Sequence, residues 1–195
     1  MSWGINEQWA APFQHQFAPI GAVQRKATMS QLAARAIAAL VFLSLSHLAA
    51  LAAIEGKYVK TPTGYLLVLK PGDDVSAHLS ELAEREKIPG GSVSGIGFLE
   101  EVKFAYFDVQ TKEYISKTYN DVELTNLTGS LAWKEGKPSQ HIHGTVAGRD
   151  YQAYGGHILD SRVGRGTLEL YVTVFDKPLD RVFDSEINAN TLKVK

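Results

Sequence analysis

The 195-residue chain has no cysteine. This absence excludes a disulfide-stapled scaffold, a thiolate zinc cluster and a cysteine nucleophile. The chain also lacks an excess of charge of one sign, since 20 basic and 21 acidic residues give a formal net charge of -1. Domains that bind nucleic acid usually carry a clear basic excess, so the composition argues against that class. Because 45% of the residues are hydrophobic, the composition excludes a wholly disordered protein and fits one domain, or two small ones.

The N-terminal region has the layout of an export signal. Residues 1–28 follow no clear period, but Met29 is followed by a positive charge at Arg35 and an apolar run over 36–45. The apolar run is followed by small residues. Residues 50–52 (Ala-Leu-Ala) fit the A-x-A pattern that precedes the cleavage site of signal peptides. We therefore predict an N-terminal extension over 1–53 with a signal peptide over 29–53, and translation from Met29 rather than Met1. The mature protein would be periplasmic or secreted.

Two other interpretations of this stretch stay open. Residues 36–54 are just long enough to cross a bilayer as a helix, which would leave a membrane anchor if the segment stayed uncleaved. Ser44, Ser46 and His47 within the stretch argue against this anchor. The segment could also be a buried helix. The predicted mature domain, 54–195, holds 17 basic and 20 acidic residues, so its net charge of about -3 disfavours DNA binding.

The mature domain has the pattern of an α+β fold with one main helix and a mostly antiparallel sheet. Tyr65–Lys70 reads as a strand, and Asp73 or Asp74 can cap a helix over Val75–Lys87 whose apolar residues share one face. After Pro89 the apolar period changes to two. Further strands are predicted over 93–106, Glu113–Tyr119, Val122–Trp133, Gln140–Arg149, Gly156–Ser161 and Thr167–Asp176. The segment 180–195 has no clear pattern.

Three histidines form the candidate metal site. His141 and His143 are two apart on a predicted strand, so their side chains share a face roughly 6 to 7 Å apart. His157 lies on the next predicted strand, which an antiparallel pairing would bring within about 5 Å. Three neutral imidazoles and an open fourth position suit a divalent metal ion, above all zinc. The alternative is that these histidines merely form a polar face, as we expect of His78 within the helix.

Short motifs in the second half of the chain resemble one known family. They comprise Gly95-Ile96-Gly97, Gln140-His141-Ile142-His143, Gly155-Gly156-His157 and Thr167-Leu168-Glu169. In this order they are similar to the plants and prokaryotes conserved (PPC) domain, over roughly Val59 to Leu192. The resemblance implies a central antiparallel sheet, a homotrimer, and a metal site at His141, His143 and His157. It also matches Glu169 to an acidic position and Arg181 to an arginine near the family's C-terminus.

The function remains open between three classes. The first is an exported homotrimer that binds a metal ion and a small-molecule ligand. The second is a metal-dependent enzyme of unknown substrate, in which Glu169 on an adjacent strand would be a general base or would orient an imidazole. The third is DNA binding, which plant relatives perform through a separate AT-hook; the nearest match here, Gly164-Arg165-Gly166, lacks the required proline.

The signal-peptide hypothesis predicts the mature N-terminus. When the full chain is expressed with an export pathway present, N-terminal sequencing should find a start at Ala53 or Ile54, because cleavage follows the small residues at 50–52. Recovery of Met1 or Ser2 at the mature terminus would contradict both the cleavage and the internal start.

Overall fold

The computed structural model describes residues 54–193. The predictions for the extension 1–53, including the signal peptide and the start site, therefore lie outside the described residues, and the division at residue 53 stays a prediction. Within 54–193, no helix has the length and apolarity that crossing a bilayer requires.

The described chain contains one helix and eight strands, which confirms the predicted mostly antiparallel α+β architecture. In chain order they are β1 (Tyr58–Thr61), β2 (Gly64–Leu69), α1 (Val75–Arg85), β3 (Gly91–Asp108), β4 (Glu113–Lys134), β5 (Lys137–Ala147), β6 (Ala153–Val174), β7 (Asp180–Asp184) and β8 (Ala189–Lys193). All strand pairs are antiparallel except a single parallel contact between β4 and β7 at Trp133 and Asp180.

Two long strands correct the sequence prediction, which had divided each of them. The runs Glu113–Tyr119 and Val122–Trp133 are both part of β4, and Gly156–Ser161 and Thr167–Asp176 fall on β6. The predicted break between Ser161 and Thr167 falls largely on a bulge of β6, because Val163 pairs with Leu99 while Leu168 pairs with Gly97. Four residues thus lie opposite one, and the ladder continues beyond them.

The four longest strands close into a ring. β3 pairs with β4 and β6, while β5 pairs with the other sides of β4 and β6. The bulged strands allow this, since different halves of one strand meet different neighbours. β2 and then β1 extend the sheet from the C-terminal half of β6. The family resemblance predicted a central sheet but not its closure.

The helix covers part of this sheet with the predicted apolar face. Asp74 is the N-cap, and its carboxylate accepts a hydrogen bond from the backbone N–H of Ala77 at 2.7 Å. Leu79 and Leu82 are fully buried in the core together with strand residues such as Leu170. Burial of each leucine side chain contributes about 1.5 to 3 kcal/mol.

The C-terminal segment without a clear sequence pattern forms a hairpin of β7 and β8 beside β4. The backbone N–H of Trp133 donates to the carbonyl of Leu179 at 2.8 Å, and its indole N–H donates to the carbonyl of Ile88 at 2.8 Å. Trp133 therefore anchors the chain that leads into the hairpin.

Gly129 on β4 provides a test of the packing between β4 and β5. A Cβ atom at this position would lie 2.3 Å from the carbonyl oxygen of His141 and 2.9 Å from the Cα of Ile142. Because both atoms belong to backbone, Gly129→Ala should destabilise the fold by about 1 to 3 kcal/mol, as overpacking does. Urea unfolding measures this effect, with Asn126→Ala, an exposed position on the same strand, as the control. Equal unfolding midpoints for the two variants would show that β5 does not pack on β4 in this register.

Candidate metal centre

The three predicted histidines meet on the outer face of the ring. His141 and His143 are exposed on β5, while Ile142 between them is buried on the opposite face. His157 is half-buried on β6, directly paired with His143. Side chains alternate between the two faces of β5, and β5 pairs with β6 in one antiparallel register. These two features are sufficient to bring the three imidazoles together.

The distances between the imidazoles fit a shared cation. One ring nitrogen from each histidine lies within 4.8 Å of the others, and the Nε2 atoms of His141 and His143 are 3.2 Å apart. Zinc–nitrogen bonds of about 2.0 to 2.1 Å in tetrahedral geometry place neighbouring ligand atoms about 3.3 Å apart. The first pair thus already has the required spacing, and the His157 nitrogen lies within 4.8 Å of both.

The electrostatic environment favours neutral imidazoles. Desolvation by the surrounding protein, together with the neighbouring His141, His143 and Arg181, lowers the pKa of His157 to about 4. Desolvation is also the main cause that lowers the pKa of His141, followed by Arg181 and His143. Because a metal ion binds the unprotonated ring, these rings are available as ligands near pH 7.

A small cavity opens beside the histidines. Its volume is about 160 Å³, and its lining residues are Tyr114, Ser139, Gln140, His141, His157, Arg181, Ala189 and Asn190. The Tyr114 ring lies 5.8 Å from the His157 ring, centre to centre. Arg181 on β7 is 5% exposed and donates a hydrogen bond to Ser130 Oγ at 2.6 Å.

Glu169 does not lie at this site, which contradicts the expectation that it sits on an adjacent strand beside the histidines. It is on β6, the same strand as His157, and pairs with Ile96, whereas His157 pairs with Ala105. These two partners are nine positions apart along β3, a distance of roughly 30 Å at about 3.3 Å per residue. Its carboxylate instead accepts a hydrogen bond from the Tyr171 hydroxyl at 3.3 Å. Glu169 can therefore neither orient an imidazole nor act as a base there.

His78 is separate from the cluster, as predicted. It is buried in α1, where Nδ1 is 2.7 Å from the carbonyl oxygen of Asp74 and Nε2 is 3.0 Å from Lys57 Nζ. The sequence motifs do not identify Tyr114, Ser130 and Asn190, which also lie at the site. No local signal could have found them, because they reach the site through the register of β4 and the position of the C-terminal hairpin.

Family comparison agrees with the motifs. The family model for the Plants and Prokaryotes Conserved (PCC) domain, the family called PPC above, matches residues 56–176. The chain belongs to this family. The match contains all three histidines and ends before β7. The expected correspondence of Arg181 to a family arginine lies beyond the matched residues and stays a prediction. No curated protein matches the chain.

Solved structures of similar proteins carry two kinds of description. A candidate DNA-binding protein from Ralstonia eutropha JMP134 is 51% identical, with a TM-score of 0.70 over 73% of this chain and 99% of its own. A second candidate DNA-binding protein, from Bacteroides thetaiotaomicron, is 27% identical, with a TM-score of 0.66 over 70% and 95%. A metal-containing protein from Archaeoglobus fulgidus is 29% identical, with a TM-score of 0.61 over 66% and 91%.

The lowered pKa of His157 predicts a pH dependence of stability in the metal-free protein. The unfolded chain takes up a proton near pH 6.5 and the folded chain near pH 4. The free energy of unfolding should therefore decrease as the pH falls between these values. His157→Gln should reduce this slope in urea unfolding at pH 7, 6, 5 and 4.5. Identical slopes for both proteins would contradict the assignment.

Proposed function

We propose that the protein holds one divalent metal ion through His141, His143 and His157 and binds a small ligand at the remaining coordination position. The observation that carries this proposal is the convergence of three imidazole nitrogens within 4.8 Å on the face of two paired strands. Zinc is favoured because three neutral nitrogen ligands with an open position suit it well. The relative from Archaeoglobus fulgidus, which is described as metal-containing, supports the presence of a metal ion.

A bound metal ion would polarise a ligand oxygen or acidify a coordinated water molecule. That chemistry would also serve a metal-dependent enzyme, the second class considered. None of the described residues that line the cavity is an aspartate or a glutamate, so no carboxylate there is placed to act as a general base. This favours a binding function over hydrolysis.

DNA binding is an alternative function, because two relatives are described as candidate DNA-binding proteins. Attraction to phosphate supplies most non-specific affinity for DNA. Residues 54–195 carry more acidic than basic side chains, which works against that attraction. A gel shift of duplex DNA at low salt that weakens steeply with added salt would favour this alternative.

The proposed assembly is an exported homotrimer. Exposed apolar side chains on β2, β3 and β6 support self-association: Val68, Ile96 and Tyr171 are 36%, 54% and 47% exposed and surround Glu169, which pairs with both Val68 and Ile96. Exposed apolar side chains grouped in this way are typical of interaction sites. Export rests on the sequence pattern over 29–53.

Metal analysis tests the proposed function. Elemental mass spectrometry of the full chain should find about one metal ion per chain, and the triple variant His141, His143, His157→Ala should lose it. His78→Gln, a histidine outside the cluster, is the matched control and should retain the metal. Removal of the ion with a chelator should lower the melting temperature by several degrees, because the ion binds the folded state alone.

Light scattering on the same samples measures the oligomer. A mass of three chains is expected. Absence of metal from the wild-type chain after reconstitution with zinc, nickel or iron would refute the proposed metal function. A monomeric mass would refute the trimer separately.

A further inference from the structure

Among residues 54–193, Arg181 is a buried cation without a counter-charge. Its side chain is 5% exposed, and within residues 54–193 its one side-chain hydrogen bond goes to Ser130 Oγ. Its Nε atom is buried and has no hydrogen-bond partner in the part of the chain that the structure describes. None of the ion pairs among the described residues includes it, and burial lowers its pKa.

Such an arrangement is costly for a folded protein. Transfer of a charged group out of water without a compensating partner is strongly unfavourable, and a guanidinium normally uses its five N–H donors on several acceptors. Arg181 satisfies few of these donors through the neutral Ser130 hydroxyl. A buried arginine in this state is expected where an anion from outside the chain completes the site.

The cavity beside the histidines is where such an anion would bind. Arg181, His141 and His157 all line it, and its other lining side chains, which include Tyr114 and Asn190, carry no negative charge. A divalent ion on three neutral imidazoles would add two further positive charges. The cavity would then hold a strong positive field that nothing in its lining neutralises.

The β7–β8 hairpin, which carries Arg181, is held in place by hydrogen bonds. At the turn of the β7–β8 hairpin, the carbonyl of Glu186 accepts a hydrogen bond from Lys112 Nζ at 3.2 Å. Asn188 Nδ2 donates to the carbonyl of Lys112 at 3.3 Å. Since Lys112 lies in the turn between β3 and β4, the hairpin is tied at its turn as well as through Trp133. The guanidinium is thus positioned before any ligand arrives, which reduces the entropic cost of binding.

We propose that Arg181 and the metal ion together bind a small carboxylate ligand, with the guanidinium on the carboxylate and a ligand oxygen on the metal. This deepens the proposed function and rests on it for the metal half of the site. A planar guanidinium matches the geometry of a carboxylate. The cavity volume of about 160 Å³ is below the roughly 300 to 1,000 Å³ of clefts for drug-sized ligands, so the ligand has few atoms.

The test uses the full chain loaded with Co²⁺, whose visible absorption reports on its coordination. Titration with acetate and with oxalate should change this spectrum, because a ligand oxygen enters the coordination sphere. The dissociation constant should rise roughly ten- to a hundredfold in Arg181→Gln, which removes charge-assisted hydrogen bonds. Arg181→Lys keeps the charge but not the planar guanidinium, so its dissociation constant should lie between those of the wild type and Arg181→Gln. Arg149→Gln, an exposed arginine outside this cavity, should bind as the wild type does.

The outcomes separate this inference from the proposed metal function. Metal binding without a spectral response of the wild-type chain to either carboxylate would overturn the inference and leave the metal function intact. Equal affinities of the wild type and Arg181→Gln would also overturn it, with Arg181 then a structural residue. If Arg181→Gln does not fold, Arg181→Lys and the wild-type titration decide. Stronger binding of inorganic phosphate than of acetate and oxalate would overturn the carboxylate assignment.

The metal-free chain gives an independent measurement. If no metal binds, the proposed function fails, while acetate or oxalate should still raise the melting temperature of the wild type and not that of Arg181→Gln. No such rise would overturn the carboxylate proposal as well.

Discussion

The pairing of β5 with β6 is the contact on which both the fold and the site depend. Five consecutive pairs, from His143 with His157 to Ala147 with Ala153, close the ring of four strands. The same pairing places a histidine of β6 directly beside one of β5. Because side chains alternate across a strand, a shift of one residue in this register would turn His157 towards the core and remove it from the site. Closure of the sheet and assembly of the histidines are therefore one structural event.

Charge is the second constraint that connects the parts of the site. Three neutral imidazoles leave the full double charge on a bound ion, unlike a site with carboxylate or thiolate ligands. Arg181 adds a further positive charge and, with desolvation, lowers the pKa of His141 and His157. An adjacent cation weakens metal affinity through repulsion, and an anionic ligand would remove that penalty. Metal and ligand would then each strengthen the binding of the other, as thermodynamic linkage requires.

The structural features that the sequence predicts correctly are those that depend on local information. The period of α1, the cap at Asp74 and the same-face spacing of His141 and His143 follow from patterns within a few residues. The predictions are wrong where the register between distant strands determines which residues meet. The bulge over 164–167 looked like the end of a strand, and Glu169 was placed beside the histidines although its partner, Ile96, lies far along β3 from the partner of His157. The closure of the ring and the position of Arg181 depend on contacts between distant segments, which one sequence does not encode in any short motif.

The two halves of the proposed site belong to different parts of the chain. The histidines lie on β5 and β6 within the matched family region, whereas Arg181 lies on a hairpin beyond residue 176. Metal affinity would depend on the register of the ring, which the pairing of β5 with both β4 and β6 maintains. Ligand choice depends on the hairpin, which joins the ring through Trp133 and the Lys112 turn. Changes in the hairpin can therefore alter which anion binds while the metal ligands stay in place, so the family fold alone does not determine the ligand.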